Sequence, residues 1–372
     1  MSSVLIQMLL VSLFCWQVLP ARTPARPTVR ELGIVIGRLP PGPLNAITDV
    51  AEVRVGHTTI IRGENIRTGV TAILPHGGNL FRDKVEGAVE VFNGFGKLAG
   101  STQVNELGKI ETPILLTNTL SVPRAADAVI SYMLKLPGME HVFSINPLVA
   151  ETNDWWLNDI RACAVEPEDV YAAIERASSG PVELGSVGAG TATRCLGFKG
   201  GIGSASRVVE IGGQTYTLGA LVQSNFGGSL IINGIRVGDK MKTSGETHGG
   251  SCIIVIATDA PVEHRNLCRL ARRSFAAMAR TGADFSNGSG DYAIAFSNHP
   301  DFREQSPGNP FSQARRSLNN NAMDLLFTAC AEAAEEAIIS SLVAATTVTG
   351  RDSHRVEALN PEKLKGVLLP GR

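Results

Sequence analysis

Residues 245–261 read GETHGGSCIIVIATDAP, and the break in the middle of this stretch decides how the chain is organised. A polar, glycine-rich segment stops at Gly250; Ser251 then opens a run of β-branched residues, Ile253, Ile254, Val255 and Ile256. Such a run, bounded by turn residues, predicts a buried strand over 251–258. After it, Pro261 starts an amphipathic helix to about Thr281, with Leu267, Leu270, Ala271, Phe275, Met278 and Ala279 on one stripe. A second strand over 292–297 follows. A long helix over 320–345 is then apolar on most of its circumference, through Leu325, Leu326, Ala329, Ala333, Ile338, Ile339 and Leu342, so it should be sandwiched between other elements.

Working backwards, strands are predicted in VRVGHTTII (53–61), TGVTAILP (68–75), ETPILLTNTL (111–120), TYTLGALVQSNF (215–226) and SLIINGIRV (229–237). Helical periodicity places Ala126, Val129, Ile130 and Met133 on one face of a helix over 123–136, and Pro-Glu-Asp opens another over 167–178. No linker, repeat or low-complexity tract interrupts 33–350. One domain of packed sheet and helix layers over 26–372 is the reading. Residues 1–25 carry an apolar run from Val4 to Leu19 that fits the h-region of a secretory signal peptide, although no Lys or Arg precedes it; the expected destination is the periplasm or the outside, with a cytoplasmic or membrane-anchored protein as the alternative.

The bulk composition narrows the function. The formal net charge is −1, with 44% hydrophobic and 19% charged residues, so the chain has no field to recruit nucleic acid or an anionic membrane. The 6 cysteines show no C-x-x-C spacing, and no two of the 7 histidines lie close enough for H-E-x-x-H, so no metal or cofactor is expected. The glycine-rich run VGAGTATRCLGFKGGIGSASR (187–207) lacks the third glycine of a dinucleotide fingerprint, because Thr193 stands there, and Lys199 is followed by glycine instead of Ser or Thr. Its glycines are better read as places where backbone passes close to backbone. The hydrolase elbow G-x-S-x-G fails at both Ser251 and Ser289, and His248, on a loop three residues before Ser251, is a poor base for it.

A serine hydroxyl is a weak nucleophile without a nearby base. A serine at a chain N-terminus carries its own, an α-amine whose ordinary pKa is about 7.7 to 8. Attack of Ser251 Oγ on the Gly250 carbonyl, an acyl shift from N to O and hydrolysis of the ester would create that terminus. The products are a piece ending at Gly250 and a piece 251–372. Residue types alone favour the alternative, a plain turn before a strand, because loop-Gly-Gly-Ser-strand is a common junction.

The chain resembles the self-processing N-terminal-serine aminopeptidases, the L-aminopeptidase/D-Ala-esterase-amidase (DmpA-like) and β-peptidyl aminopeptidase family. The resemblance rests on VGHTT, GKIETPILLTNTLSV, ETNDWWLNDI, LVQSNFGG, GGSCIIVIATDAP and NGSGDYAIAFS together with the stretches at 68–75 and 187–207. It implies an α/β (α+β) fold, a four-layer αββα sandwich similar to the Ntn-hydrolases with different connectivity. It implies Ser251 as nucleophile, Ser289 hydrogen-bonded to the Ser251 hydroxyl or amine, Asp291 holding the α-amine, and Asn225 as oxyanion donor. It implies Glu151 as the carboxylate for the substrate's ammonium. Some relatives carry a tyrosine at the position of Asn153, where an amide reaches less far, and Asp291 stands where many have glutamate. Trp155 and Trp156 are read evenly as pocket lining or core. The implied substrates are short peptides, aminoacyl amides or esters, and the implied assembly is a homo-oligomer of cut pairs. Two rivals stand beside this: an acyltransferase of the ornithine-acetyltransferase type, which uses threonine after lysine-glycine, and an unprocessed binding protein.

Overall fold

The β-branched run becomes the central strand of the larger of the two main sheets. The computed structural model describes residues 26–241, 250–305 and 315–369; the leader 1–25, His248 and part of the loop after Pro300 lie outside the described residues. In chain order the long strands are β1 (Arg54–Arg62), β2 (Ile66–Leu74), β3 (Asp83–Gly94), β4 (Ile114–Asn118), β5 (Leu148–Thr152), β6 (Gly201–Ile211), β7 (Gln214–Asn225), β8 (Gly250–Thr258) and β9 (Ser289–Ser297). The long helices are α1 (Val122–Leu134), α2 (Pro167–Glu175), α3 (His264–Thr281) and α4 (Met323–Ala344). The first sheet runs β1-β2-β4-β5 with Leu98–Ala99 at its edge, and the second runs β6-β7-β8-β9-β3 with Glu304–Gln305 at its edge. Within each, one pair is parallel, β4 with β5 and β8 with β9, and each pair is bridged by a helix, α1 and α3 respectively.

Side-chain alternation builds the layers. Along β8, Ile253, Val255 and Ala257 face the first sheet and meet Val55, Ile73, Ile114, Leu116 and Leu148, while Cys252, Ile254 and Ile256 face α3 and α4. On the far side of the first sheet, Val70, Ala72, Leu115 and Val149 pack against α1 and α2. The result is the expected α-β-β-α sandwich. No helix among the described residues is long and apolar enough to cross a membrane. All five described cysteines are free.

The sandwiching of the last long helix is as expected: α4 is buried on every side from Ala329 to Val343. The glycine run explains how it gets so close. A Cβ on Gly203 would lie 1.9 Å from the Ala337 carbonyl oxygen, and one on Gly201 would lie 2.4 Å from that of Gly185. Gly212 and Gly213, both at positive φ, close the β6–β7 hairpin as a two-residue turn.

Several expectations are corrected. SLIINGIRV is no part of the main sheets: Asn233 and Gly234, both at positive φ, fold it into a ribbon of Ile231–Ile232 against Ile235–Arg236. The helix expected over 167–178 ends at Glu175, because Ser178 pairs with Val55. On α3, Ala277 is buried and Ala279 exposed; on α1, Ala125 and Ala128 are buried while Ala126 and Ile130 are only half-buried. Strands β3 and β5 were not legible. In β3, Glu86 interrupts the apolar pattern, yet it is buried on Lys109 Nζ at 2.8 Å and Arg315 Nη1 at 3.0 Å.

Candidate active site

The site lies where strand ends from both sheets meet. Ser251 is the second residue of β8, opposite Asn225 at the end of β7 and Gly290 near the start of β9; Gly250 stands opposite Ser289. Glu151 comes from the other sheet, at the end of β5 beside Thr117 of β4. Buried Gln223 ties the sheets together just behind, its Nε2 donating to Thr117 O at 3.1 Å, Thr152 Oγ1 at 2.9 Å and Ala189 O at 2.9 Å.

Gly250 has φ +133°, and a Cβ there would fall 2.1 Å from the Asn225 carbonyl oxygen, so only glycine fits immediately before the serine. Ser251 is 2% exposed, and its hydroxyl accepts from Gly290 N–H at 3.2 Å. Ser289 turns its hydroxyl to Asp291 Oδ1 at 2.8 Å instead of to Ser251. Burial pushes the Asp291 carboxyl up to about 6, against hydrogen bonds from the Ser289 hydroxyl and the Cys252 N–H that favour its charged form. Asp291 Oδ2 is buried without a hydrogen-bond partner among the described residues.

The Asn225 amide is clamped at both ends. Its Oδ1 accepts Arg194 N–H at 2.9 Å and its Nδ2 donates to the Asn153 carbonyl at 3.1 Å. Arg194 N–H can only donate, so it sets which end of the amide is turned toward the cavity. The Asn153 side chain is engaged locally, its Oδ1 accepting Trp155 N–H at 3.2 Å. Glu151 is 2% exposed; its Oε1 accepts Lys97 N–H at 2.9 Å and its Oε2 accepts the Thr119 hydroxyl. Burial raises its pKa, while the Thr119 and Lys97 hydrogen bonds and the Lys97 charge oppose the shift.

A cavity of about 220 Å³ collects most of the residues singled out from sequence: Glu151, Asn153, Trp155, Asn225, Gly250 and Ser251 line it. Ser289 and Asp291 stand beside Ser251 on β9, behind the lining. Trp156 is also set back, edge-on to Trp155 at 5.4 Å and stacked on the His354 ring at 3.9 Å. Phe95, Lys97, Thr119 and Arg194 line the same cavity and were not found from sequence. Thr119 and Arg194 sit inside stretches already noted, but no local pattern distinguishes them from their neighbours.

Peptidase family S58 matches residues 45–356, five-sixths of the chain. The chain belongs to that family. This peptidase is 41% identical to the β-peptidyl aminopeptidase BapA of Sphingosinicella microcystinivorans, over 92% of each chain. Among solved structures it is similar to the PH0078 protein of Pyrococcus horikoshii (46% identical, TM-score 0.87) and to the L-aminopeptidase D-Ala-esterase/amidase of Ochrobactrum anthropi (37% identical, TM-score 0.87); both alignments cover 92% of this chain and 98% of the other. The second is described as a prototype of the serine aminopeptidases and a new variant of the Ntn-hydrolase fold. The S58 peptidase is therefore a serine N-terminal-nucleophile hydrolase of the aminopeptidase type. The acyltransferase and binding-protein readings fall away.

Proposed function

We propose that the chain cuts itself between Gly250 and Ser251 and then uses the freed amine of Ser251 to remove N-terminal residues from short peptides, amides or esters, β-amino-acid residues included. In the first step Ser251 Oγ bonds to the Gly250 carbonyl carbon, the C–N bond breaks as the acyl group passes to oxygen and the hydroxyl proton passes to the Ser251 nitrogen, and water then hydrolyses the ester to the Gly250 carboxylate and the Ser251 hydroxyl. The new amine then takes the hydroxyl proton as Oγ attacks a substrate carbonyl. Asn225 Nδ2 donates to the oxyanion in place of its bond to the Asn153 carbonyl, a contribution of about 3 kcal/mol to the barrier. The acyl-enzyme forms as the leaving amine departs, and water hydrolyses it.

The observation that carries this reading is Asp291 Oδ2, a buried acceptor with no donor on the strand that pairs with Ser251. A carboxylate oxygen left bare beside Ser251 costs free energy in the uncut chain and gains a partner once an ammonium forms there. Ser289, already bonded to Asp291, links that carboxylate to the neighbourhood of the nucleophile. Glu151, buried and fixed by Lys97 N–H and Thr119, suits the free ammonium of a substrate, which restricts cutting to the chain end.

The two pieces stay together because β8 of the second pairs along its length with β7 of the first. The cut pair is proposed to self-associate, and the leader to direct export before removal.

N-terminal sequencing of the purified protein tests the processing. The expected result is one terminus near residue 26 and a second reading Ser-Cys-Ile-Ile. Ser251→Ala should instead run as a single band near the full 39.4 kDa, less any leader, and be inactive on aminoacyl p-nitroanilides. Efficient cutting of that variant, or turnover of amino-blocked substrates at the same rate as free ones, contradicts the assignment.

A further inference from the structure

Glu151 accounts for one end of a substrate, but the cavity also holds a cation that no step above uses. The Arg194 side chain lines it and makes no hydrogen bond or ion pair among the described residues. Its guanidinium instead lies over the Trp156 ring at 4.8 Å, and Trp156 is itself stacked on His354, whose Nδ1 lies 2.9 Å from the Trp156 carbonyl. Stacking occupies a face of the guanidinium and leaves its N–H edges free for a planar, two-oxygen acceptor.

Its position follows from the clamp on Asn225. The backbone N–H of Arg194 holds the Asn225 amide at 2.9 Å, which sets its backbone next to the oxyanion donor, and its side chain reaches from there to the Trp156 ring. Glu151 enters from the smaller sheet, fixed by Lys97 and Thr119. A substrate with its ammonium on Glu151 and its carbonyl oxygen at Asn225 runs from the one toward the other, and its leaving residue continues past Asn225.

We propose that Arg194 binds the carboxylate of the leaving residue, so that the enzyme favours dipeptides with a free C-terminus over the corresponding amides. The inference rests on the aminopeptidase reading above and adds the leaving-group side to it. A dipeptide brings one ammonium and one carboxylate to a cavity that offers one buried carboxylate and one unpaired guanidinium. Burial already destabilises the charged form of Arg194, and an anion there restores it. Lys97 is the other cation in the lining, but it is exposed and its own backbone N–H is on Glu151, which places it at the ammonium end.

The test uses the self-processed enzyme and one N-terminal residue shown to be turned over as its p-nitroanilide. Steady-state kcat/KM is measured on that residue joined to glycine as the free acid, to glycinamide, and to aspartic acid α-amide, whose only carboxylate is on the side chain. Arg194→Met should lower kcat/KM on the free acid by about 10- to 100-fold, the range for a lost charge-assisted hydrogen bond. The losses on glycinamide and p-nitroanilide should be several-fold smaller than on the free acid, and Arg194→Lys should recover part of the selective loss. Completed self-cutting shows that each variant is folded. Equal losses on acid and amide, a selective loss from Lys97→Met instead, or wild-type preference for the aspartic α-amide over the free acid would each overturn the proposal while leaving the aminopeptidase in place. A wild-type enzyme that hydrolyses no aminoacyl p-nitroanilide would remove both readings together.

Discussion

Asp291 shows how burial sets chemistry at the scale of one residue. Its carboxyl is raised from 3.8 to about 6 by desolvation, with the Ser289 hydrogen bond pulling the other way. For a raised carboxyl, the native state holds the proton more tightly than the unfolded chain. Its contribution to stability is therefore full below about 4 and lost as pH rises through about 6. The charged form, which receives the ammonium that the proposed cut releases, has the opposite dependence, so the uncut chain trades stability for competence across that window. The rate of self-cutting of freshly folded chain, followed on a denaturing gel, should fall as pH drops through about 6, toward tenfold per unit. Asp291→Asn should be slow at every pH and lack that limb; a wild-type rate that does not change between pH 5 and 7 would deny the carboxylate its part. Sequence could name Asp291 only through the resemblance. Its bare oxygen depends on what the fold packs around it.

Among elements, β8 and α4 were legible because their patterns are strong and uninterrupted. Four branched residues in a row can only be a buried strand here, and a helix apolar all round must be covered all round. The seating of α4 on β6 depends on Gly203, whose missing Cβ lets the Ala337 carbonyl oxygen approach to where that atom would stand. Gly203→Ala should force the helix off the sheet at a cost of about 1–3 kcal/mol, typical of overpacking. A guanidinium unfolding midpoint equal to wild type would mean that the contact is not tight. By contrast β3 was hidden by Glu86, since a carboxylate in a strand reads as solvent-facing until Lys109 and Arg315 are seen to meet it.

For the whole molecule, the decisive question is what keeps the pieces 26–250 and 251–372 together after a cut. Besides β8 against β7, a buried ionic cluster bridges them. Arg207 of β6, fully buried, reaches Glu336 Oε2 at 2.7 Å, Glu332 Oε2 at 3.3 Å and the Ile36 carbonyl at 2.7 Å. Glu336 also takes Arg30 at 2.9 Å and Asn45 Nδ2 at 2.7 Å, and Glu332 accepts the backbone N–H of Arg38 and Leu39. All the donors belong to the first piece and both carboxylates to the second. Removing one partner strands the other charge in the interior, so Arg207→Leu should destabilise by about 3–5 kcal/mol. Guanidinium unfolding of the cut protein measures this, and an unchanged midpoint would show that the cluster carries no net stability.

By itself, the sequence determined the layered class, the central strand and its flanking helices, and, through its family motifs, the residues around Ser251. These are properties of short stretches, where periodicity and turn chemistry act within a few neighbours. Only the tertiary structure decided that Thr119, Lys97 and Arg194 enter the cavity, that Trp156 stands behind it as a support, and that Asp291 keeps an oxygen unpaired. Each of those facts is a meeting of positions far apart in the chain. Strand register and the crossing of two sheets set them, and no local pattern encodes either.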